Sequence, residues 1–209
     1  MVDLTTLGLP LRGLLQSEEG SQDNNSLPPR IEMVDGLTRI FHREFFNVQY
    51  AIQWGIAARK QDVLVLFVID VDQFSSFNAL DSRSGDYALQ KIAKTLSLLF
   101  RRSTDFVARY EGDRFVVLAA DMSEAQAKAH ALRICDRVQS LRILNRQTQQ
   151  YLSASVGYVV DVPHADQKPE GMLEMACDNL KHAKSSGKGA VRGSGAISLS
   201  DNGVCVAEV

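Results

Sequence analysis

A few charged and amide side chains carry whatever chemistry this 209-residue chain can do. Asp70 and Asp72 follow directly on the apolar run at 63–69, so two carboxylates stand at the end of what reads as a buried strand. Glu111-Gly112-Asp113-Arg114 separates two short β-prone runs and places both charge signs in a turn. Arg102 and Asp105 lie three residues apart, and Arg133 and Arg137 lie four apart, hence on one helical face. Asn78, Asp86, Lys184 and Lys188 complete the candidates. Carboxylates only accept hydrogen bonds, amides donate and accept, and arginine offers a planar fork to phosphate or to a base edge. Each group also has an ordinary use: a helix cap for Asp70 or Asp72, a turn residue for Asp113, a helix-dipole partner for Asp86, a surface ion pair for Arg102 and Asp105, solvation for the lysines.

The elements that must hold these groups alternate between helix and strand. Ile40, Phe41, Phe45, Val48, Ile52 and Ile56 recur at three- and four-residue intervals and predict an amphipathic helix. After the strand at 63–69, residues 84–102 read as a helix with Gly85-Asp86 at its start, and 106–110 and 115–119 read as a hairpin. Ser123, with Gln126 three residues on, predicts a capped helix over 123–141. A strand at 152–160 and a helix at 170–184 follow, and a Gly/Ser-rich tail begins after Val191. The alternation predicts an α/β fold, a mixed sheet with helices packed on it. The expected organisation is an N-terminal arm and linker over 1–32, one domain over 33–192 and a tail over 193–209.

Lys plus Arg (23) nearly balances Asp plus Glu (25), so no overall field would hold the chain on nucleic acid or a membrane, and any anion site must be local. No apolar stretch is long enough to span a bilayer. Cys135, Cys177 and Cys205 are odd in number and lack metal-ligand spacing, which argues against a disulfide framework or zinc site and makes a reducing cytoplasm the expected compartment.

Six motifs in order resemble those of the GGDEF (diguanylate cyclase) family: Asp35-Gly36-Leu37-Thr38, Ile69-Asp70-Val71-Asp72-Gln73-Phe74 with Asn78, Gly85-Asp86, Arg102-Ser103-Thr104-Asp105 before Arg109-Tyr110 and the signature turn, Ser155-Val156-Gly157, and Ala183-Lys184-Ser185-Ser186-Gly187-Lys188. The resemblance implies a palm-like, mostly antiparallel sheet wrapped by helices. It implies an activity, in active members, that joins two GTP molecules into cyclic di-GMP with Mg²⁺ neutralising the phosphates. On this pattern Asp70 and Asp113 are the metal-facing carboxylates, Asn78 and Asp86 the guanine-facing pair, and Lys184 and Lys188 the phosphate contacts. Arg102 and Asp105, completed by Arg133 or Arg137, form the family's inhibitory site for cyclic di-GMP.

The departures concentrate in the catalytic half. Glu111 stands for the signature's first glycine and Arg114 for its glutamate, bringing an anion toward the nucleotide phosphates and a cation that can neither ligate Mg²⁺ nor accept a proton. Ser75 replaces a lysine, Ala79 an aspartate, and the stretch from Asn78 to Gly85 is one residue short of the pattern. The expectation is a catalytically degenerate domain that acts as a cytoplasmic cyclic di-GMP receptor, with enzymatic activity left open and disfavoured by these departures. Its implied partners are cyclic di-GMP, an unidentified protein, GTP if the old pocket still binds it, and a second copy in a homodimer. Mg²⁺ is expected only if nucleotide binding is retained. The alternatives are a residual or conditional diguanylate cyclase and a GTP-binding or interaction domain.

Overall fold

The computed structural model describes residues 33–79, 81–164 and 166–195; the arm and linker expected over 1–32 and the tail from 196 onward lie outside them. The first half comprises β1 (Phe41–His42), α1 (Arg43–Lys60), β2 (Leu64–Val71), α2 (Phe74–Asn78), α3 (Ser82–Leu99) and β3 (Phe106–Glu111). The second half comprises β4 (Arg114–Ala120), α4 (Glu124–Gln139), β5 (Leu144–Asn145), β6 (Gln150–Tyr151), β7 (Ala154–Asp161), α5 (Pro169–Ser186) and β8 (Val191–Ser194). Six strands form one sheet in the order β1-β3-β4-β2-β7-β8, and β5 with β6 makes a separate small hairpin. The central pairings β3–β4, β4–β2 and β2–β7 are antiparallel, whereas the edge strands β1 and β8 join in parallel.

All eight residues of β2 are buried, which explains its unbroken apolar run. Val65, Phe67 and Ile69 pack beneath α3 and α4, while Leu64, Leu66 and Val68 pack beneath α1 and α5, so the two-residue period of the strand feeds two cores. The expected capping box is present, with Ser123 and Gln126 each bonding the other's backbone at the start of α4.

Three features depart from the sequence expectations. The buried stripe of α1 is Phe46, Tyr50, Trp54 and Ala57, and Val48 and Ile52 of the expected stripe remain 50% and 48% exposed. Three aromatics at four-residue spacing bury more area than the aliphatic stripe beside them, and the Tyr50 hydroxyl also donates to the Pro169 carbonyl at 2.8 Å, tying α1 to α5. Helix α3 starts at Ser82, because Asp81 accepts from the Arg83 N–H and the Ser84 hydroxyl, which moves Gly85-Asp86 into the helix. At the other end the sheet runs on to Ser194, past the expected boundary at 192, with Gly193 lying where any Cβ would enter the Tyr158 ring.

Candidate functional site

Strand pairing brings the signature turn to Asp70. In the β2–β4 register Asp70 lies opposite Arg114, and the Val71 N–H donates to the Asp113 carbonyl at 3.4 Å. Gly112 supplies the turn's one positive φ, 55°, with nothing near its missing Cβ, so glycine is required here for conformation alone. Glu111 ends β3, exposed, and its side chain is carried without left-handed backbone. Arg109 braces the turn from behind: its Nε donates to the Gly112 carbonyl at 2.8 Å and its Nη1 to Asp35 at 3.2 Å. Asp35 also accepts from the Thr38 N–H and hydroxyl, both at 2.7 Å. Burial pushes the Asp35 carboxyl up, but the Thr38 hydrogen bonds and Arg109 outweigh it and hold the group below the usual carboxylate range. The opening DGLT motif is thus a clamp on the signature hairpin.

Asp70 is nearly buried and both its oxygens already face cations. Lys184 from α5 donates to Oδ1, and the Arg114 guanidinium lies 3.5 Å from Oδ2. Asp113 faces the same cluster; burial, then the Asp70 charge, push its carboxyl above the ordinary range, against the pull of Lys184 and Arg114. Asp72 takes no part. It accepts from Ser153 Oγ at 2.6 Å, Ser155 Oγ at 2.8 Å and the Gly189 N–H at 2.8 Å, knitting the end of β2 to β7 and to the chain after α5. These residues do not fit a Mg²⁺ centre: the carboxylate best placed to ligate is neutralised by two side-chain cations, and no group of three or more acidic, His or Cys side chains among the described residues is arranged to hold a metal.

The remaining nucleotide candidates divide. Asn78 lies against Gly85, where a Cβ would come within 1.9 Å of its Oδ1, so the end of α2 and the Gly85-Asp86 turn of α3 are brought together with Asp86 exposed beside them. Lys188 is not drawn to Asp70 with Lys184. Its Nζ donates to Gln150 Oε1 at 2.8 Å, in a polar groove between α4 and the β5–β6 hairpin.

A second cluster lies where α3 leads into β3. Asp105 Oδ2 accepts the Arg102 backbone N–H at 2.9 Å and the Asp105 N–H returns to the Arg102 carbonyl at 3.0 Å, while the Arg102 guanidinium reaches the Ala120 carbonyl at 3.3 Å. The pair is a backbone turn, with the guanidinium bonded to the Ala120 carbonyl rather than to the Asp105 carboxylate. Phe100, Arg101, Arg102, Asp105, Met122 and His130 line a cavity of about 260 Å³. Asp105 Oδ1 is shut off from solvent without a hydrogen-bond partner, a condition that costs about 1–3 kcal/mol unless something supplies a donor. Arg133 is exposed on α4 and its charge acts on His130; neither it nor Arg137, exposed one turn further on, lines the cavity. The sequence reading missed His130. Its only signal was a position three residues before Arg133, which puts both on one face of α4.

A mixed six-stranded sheet flanked by helices, with a charged hairpin turn beside the end of its central strand, defines a nucleotidyl-cyclase-like palm. The family model described as "Diguanylate cyclase, GGDEF domain" matches residues 32–190, and the chain belongs to this family. The diguanylate cyclase DosC of Escherichia coli K12 is 29% identical over 160 residues, covering 76% of this chain and 34% of its own length. The diguanylate cyclase TpbB of Pseudomonas aeruginosa UCBPP-PA14 is 30% identical over 202 residues, 92% of this chain and 45% of its own length. The chain therefore spans less than half of these curated relatives. In fold it is similar to the GGDEF domain of DgcB from Caulobacter crescentus, crystallised in complex with cyclic di-GMP, with a TM-score of 0.71 at 22% identity over 80% of this chain and 98% of that one.

Proposed function

We propose that this GGDEF domain is a catalytically silent receptor for cyclic di-GMP, which binds at the Arg102–Asp105 cavity and whose occupancy is passed to another protein. The observation that carries this reading is Asp105 Oδ1, a buried acceptor left without a donor in the turn that also carries the Arg102 guanidinium, which is not paired with a carboxylate. A guanine edge offers N–H donors to the first, and guanine or phosphate offers acceptors to the second. At about 260 Å³ the cavity is smaller than the roughly 300–1,000 Å³ of pockets that enclose a whole ligand, so it would seat one base, with the exposed Arg133 of α4 the cation for the remainder of the ligand. The signature site, by contrast, has spent its carboxylate on Arg114 and Lys184.

A residual cyclase or GTP-binding reading draws support from Asn78, which lies against Gly85, and from the exposed Asp86 that follows it in α3. Mg²⁺ belongs to that reading, arriving with the triphosphate. A cytoplasmic location and pairing of two copies are part of the receptor proposal; among the described residues no helix is long and apolar enough to cross a membrane. Calorimetric titration with cyclic di-GMP and with GTP, alongside an assay for product from GTP and Mg²⁺, tests the proposal. Saturable binding of cyclic di-GMP without product formation is expected. Turnover that Asp70→Ala and Asp113→Ala both abolish would promote the cyclase, and binding of neither ligand would leave an interaction domain.

A further inference from the structure

One residue lining the cavity beside Arg102 carries a second buried polar atom without a partner, and the family pattern does not use it. Nδ1 of His130 is closed to solvent and has no hydrogen-bond partner, and its ring leans on Phe100 with centroids 5.4 Å apart. His130 reaches the cavity from α4, whereas Asp105 and Arg102 reach it from the chain leading into β3. Two residues from separate elements thus line one small space and each carries a buried atom without a partner, an acceptor on Asp105 and an imidazole nitrogen able to donate. The charges around the imidazole are Arg133 on its own helix, Arg102 and Arg101 from the facing chain, and the single carboxylate of Asp105. Cations outnumber anions, so the surroundings favour an anionic group next to the ring.

We propose that His130 is a further ligand-binding residue of this cavity and donates a hydrogen bond to the phosphodiester of bound cyclic di-GMP. The inference rests on the receptor reading above and adds a consequence that reading does not have. In the free protein, burial together with Arg133 and Arg102 holds the imidazole pKa below its ordinary value, against a weaker opposing pull from Asp105. A phosphodiester placed against the ring favours the protonated form, so binding takes up a proton. A group whose pKa is higher in the complex than in the free protein strengthens binding as the pH falls toward and below its free-state value.

The test is calorimetric titration of the full chain with cyclic di-GMP from about pH 8 to about pH 5.5, in buffers of different ionisation enthalpy, for wild type, His130→Gln and His130→Phe. For wild type we expect affinity to rise severalfold over this range with net proton uptake. His130→Gln, which keeps a donor but cannot be charged, should weaken binding by roughly tenfold at the acid end and flatten the profile. His130→Phe should lose the same dependence, and thermal melts of both variants establish that they fold. Wild-type affinity and an unchanged pH profile in His130→Gln would overturn the role of His130 while leaving the receptor standing. Failure of wild type to bind at any pH would overturn both.

Discussion

At the scale of single residues, the charges around Asp70 are paired within the chain. Arg114 stands opposite Asp70 across the β2–β4 ladder and shares it with Lys184, so the cation a metal would supply is already covalently attached. A ligand that binds only the folded state raises the melting temperature, whereas one with no site leaves it alone. Wild type should therefore melt at the same temperature with and without millimolar Mg²⁺, and Arg114→Glu, which sets a third carboxylate beside Asp70 and Asp113, should gain a Mg²⁺-dependent shift. A metal-dependent shift in wild type would show that Lys184 and Arg114 yield to the ion. In the other cluster, Arg102→Ala removes charge-assisted hydrogen bonds worth roughly 1.5–3 kcal/mol each and should weaken cyclic di-GMP by about tenfold or more. Asp105→Asn should weaken it as well, and Asp70→Ala should leave affinity unchanged; titration of the three variants beside wild type decides this.

At the scale of elements, two contacts decide whether the hairpin and the sheet hold their places. Helix α5 crosses β7 so closely at Gly157 that a Cβ there would lie 2.3 Å from the Ala176 carbonyl oxygen and 2.3 Å from the Leu180 nitrogen. Both obstacles are backbone and cannot rotate away. Gly157→Ala should cost at least the upper end of the roughly 1–3 kcal/mol typical of overpacking, measured by urea unfolding, and an unchanged midpoint would mean α5 can lift freely. The clamp of Asp35 on Arg109 and Thr38 has a pH signature. Because the folded-state pKa of Asp35 is depressed, its contribution is present above the ordinary carboxylate pKa and is lost as the pH falls through the lower folded value. Asp35→Asn should destabilise the domain by about 1–2 kcal/mol at neutral pH. The gap to wild type should narrow only in acid, below the usual carboxylate range. A gap independent of pH would assign the effect to packing.

At the scale of the whole molecule, the two charged clusters are carried by different elements. The end of β2 and its hairpin carry the signature turn, while the chain from α3 to β3, together with α4, carries the Arg102–Asp105 cavity. Electrostatic positioning supplies much of the acceleration in transfers of this kind, and loss of one such group costs on the order of 10²- to 10³-fold. Glu111→Gly combined with Arg114→Glu should therefore restore less than full cyclase turnover, because the shortened stretch between Asn78 and Gly85, with Ser75 and Ala79, is not repaired. Product at the rate of an active cyclase from this double variant, with none from wild type, would show that the two signature positions alone account for the difference.

The sequence alone determined what depends on local pattern and spacing. The apolar run of β2, the Gly-Asp turn, the Ser123–Gln126 capping box and the order of six motifs were legible because each is written within a few consecutive residues. Period-3.6 spacing could not choose between the two apolar stripes of α1, since only the faces of β3, β4 and α5 select Phe46, Tyr50 and Trp54 over Val48 and Ile52. Asp70 and Asp72 read as one carboxylate pair, yet long-range partners assign them opposite duties: Arg114 and Lys184 hold the first, and Ser153, Ser155 and Gly189 hold the second. His130 and Asp105 are 25 positions apart in the chain and share a cavity only because α4 packs beside the end of α3. Which charges meet, and which buried atoms are left without partners, is settled by contacts between distant segments, and those exist only once the sheet and its helices have closed on one another.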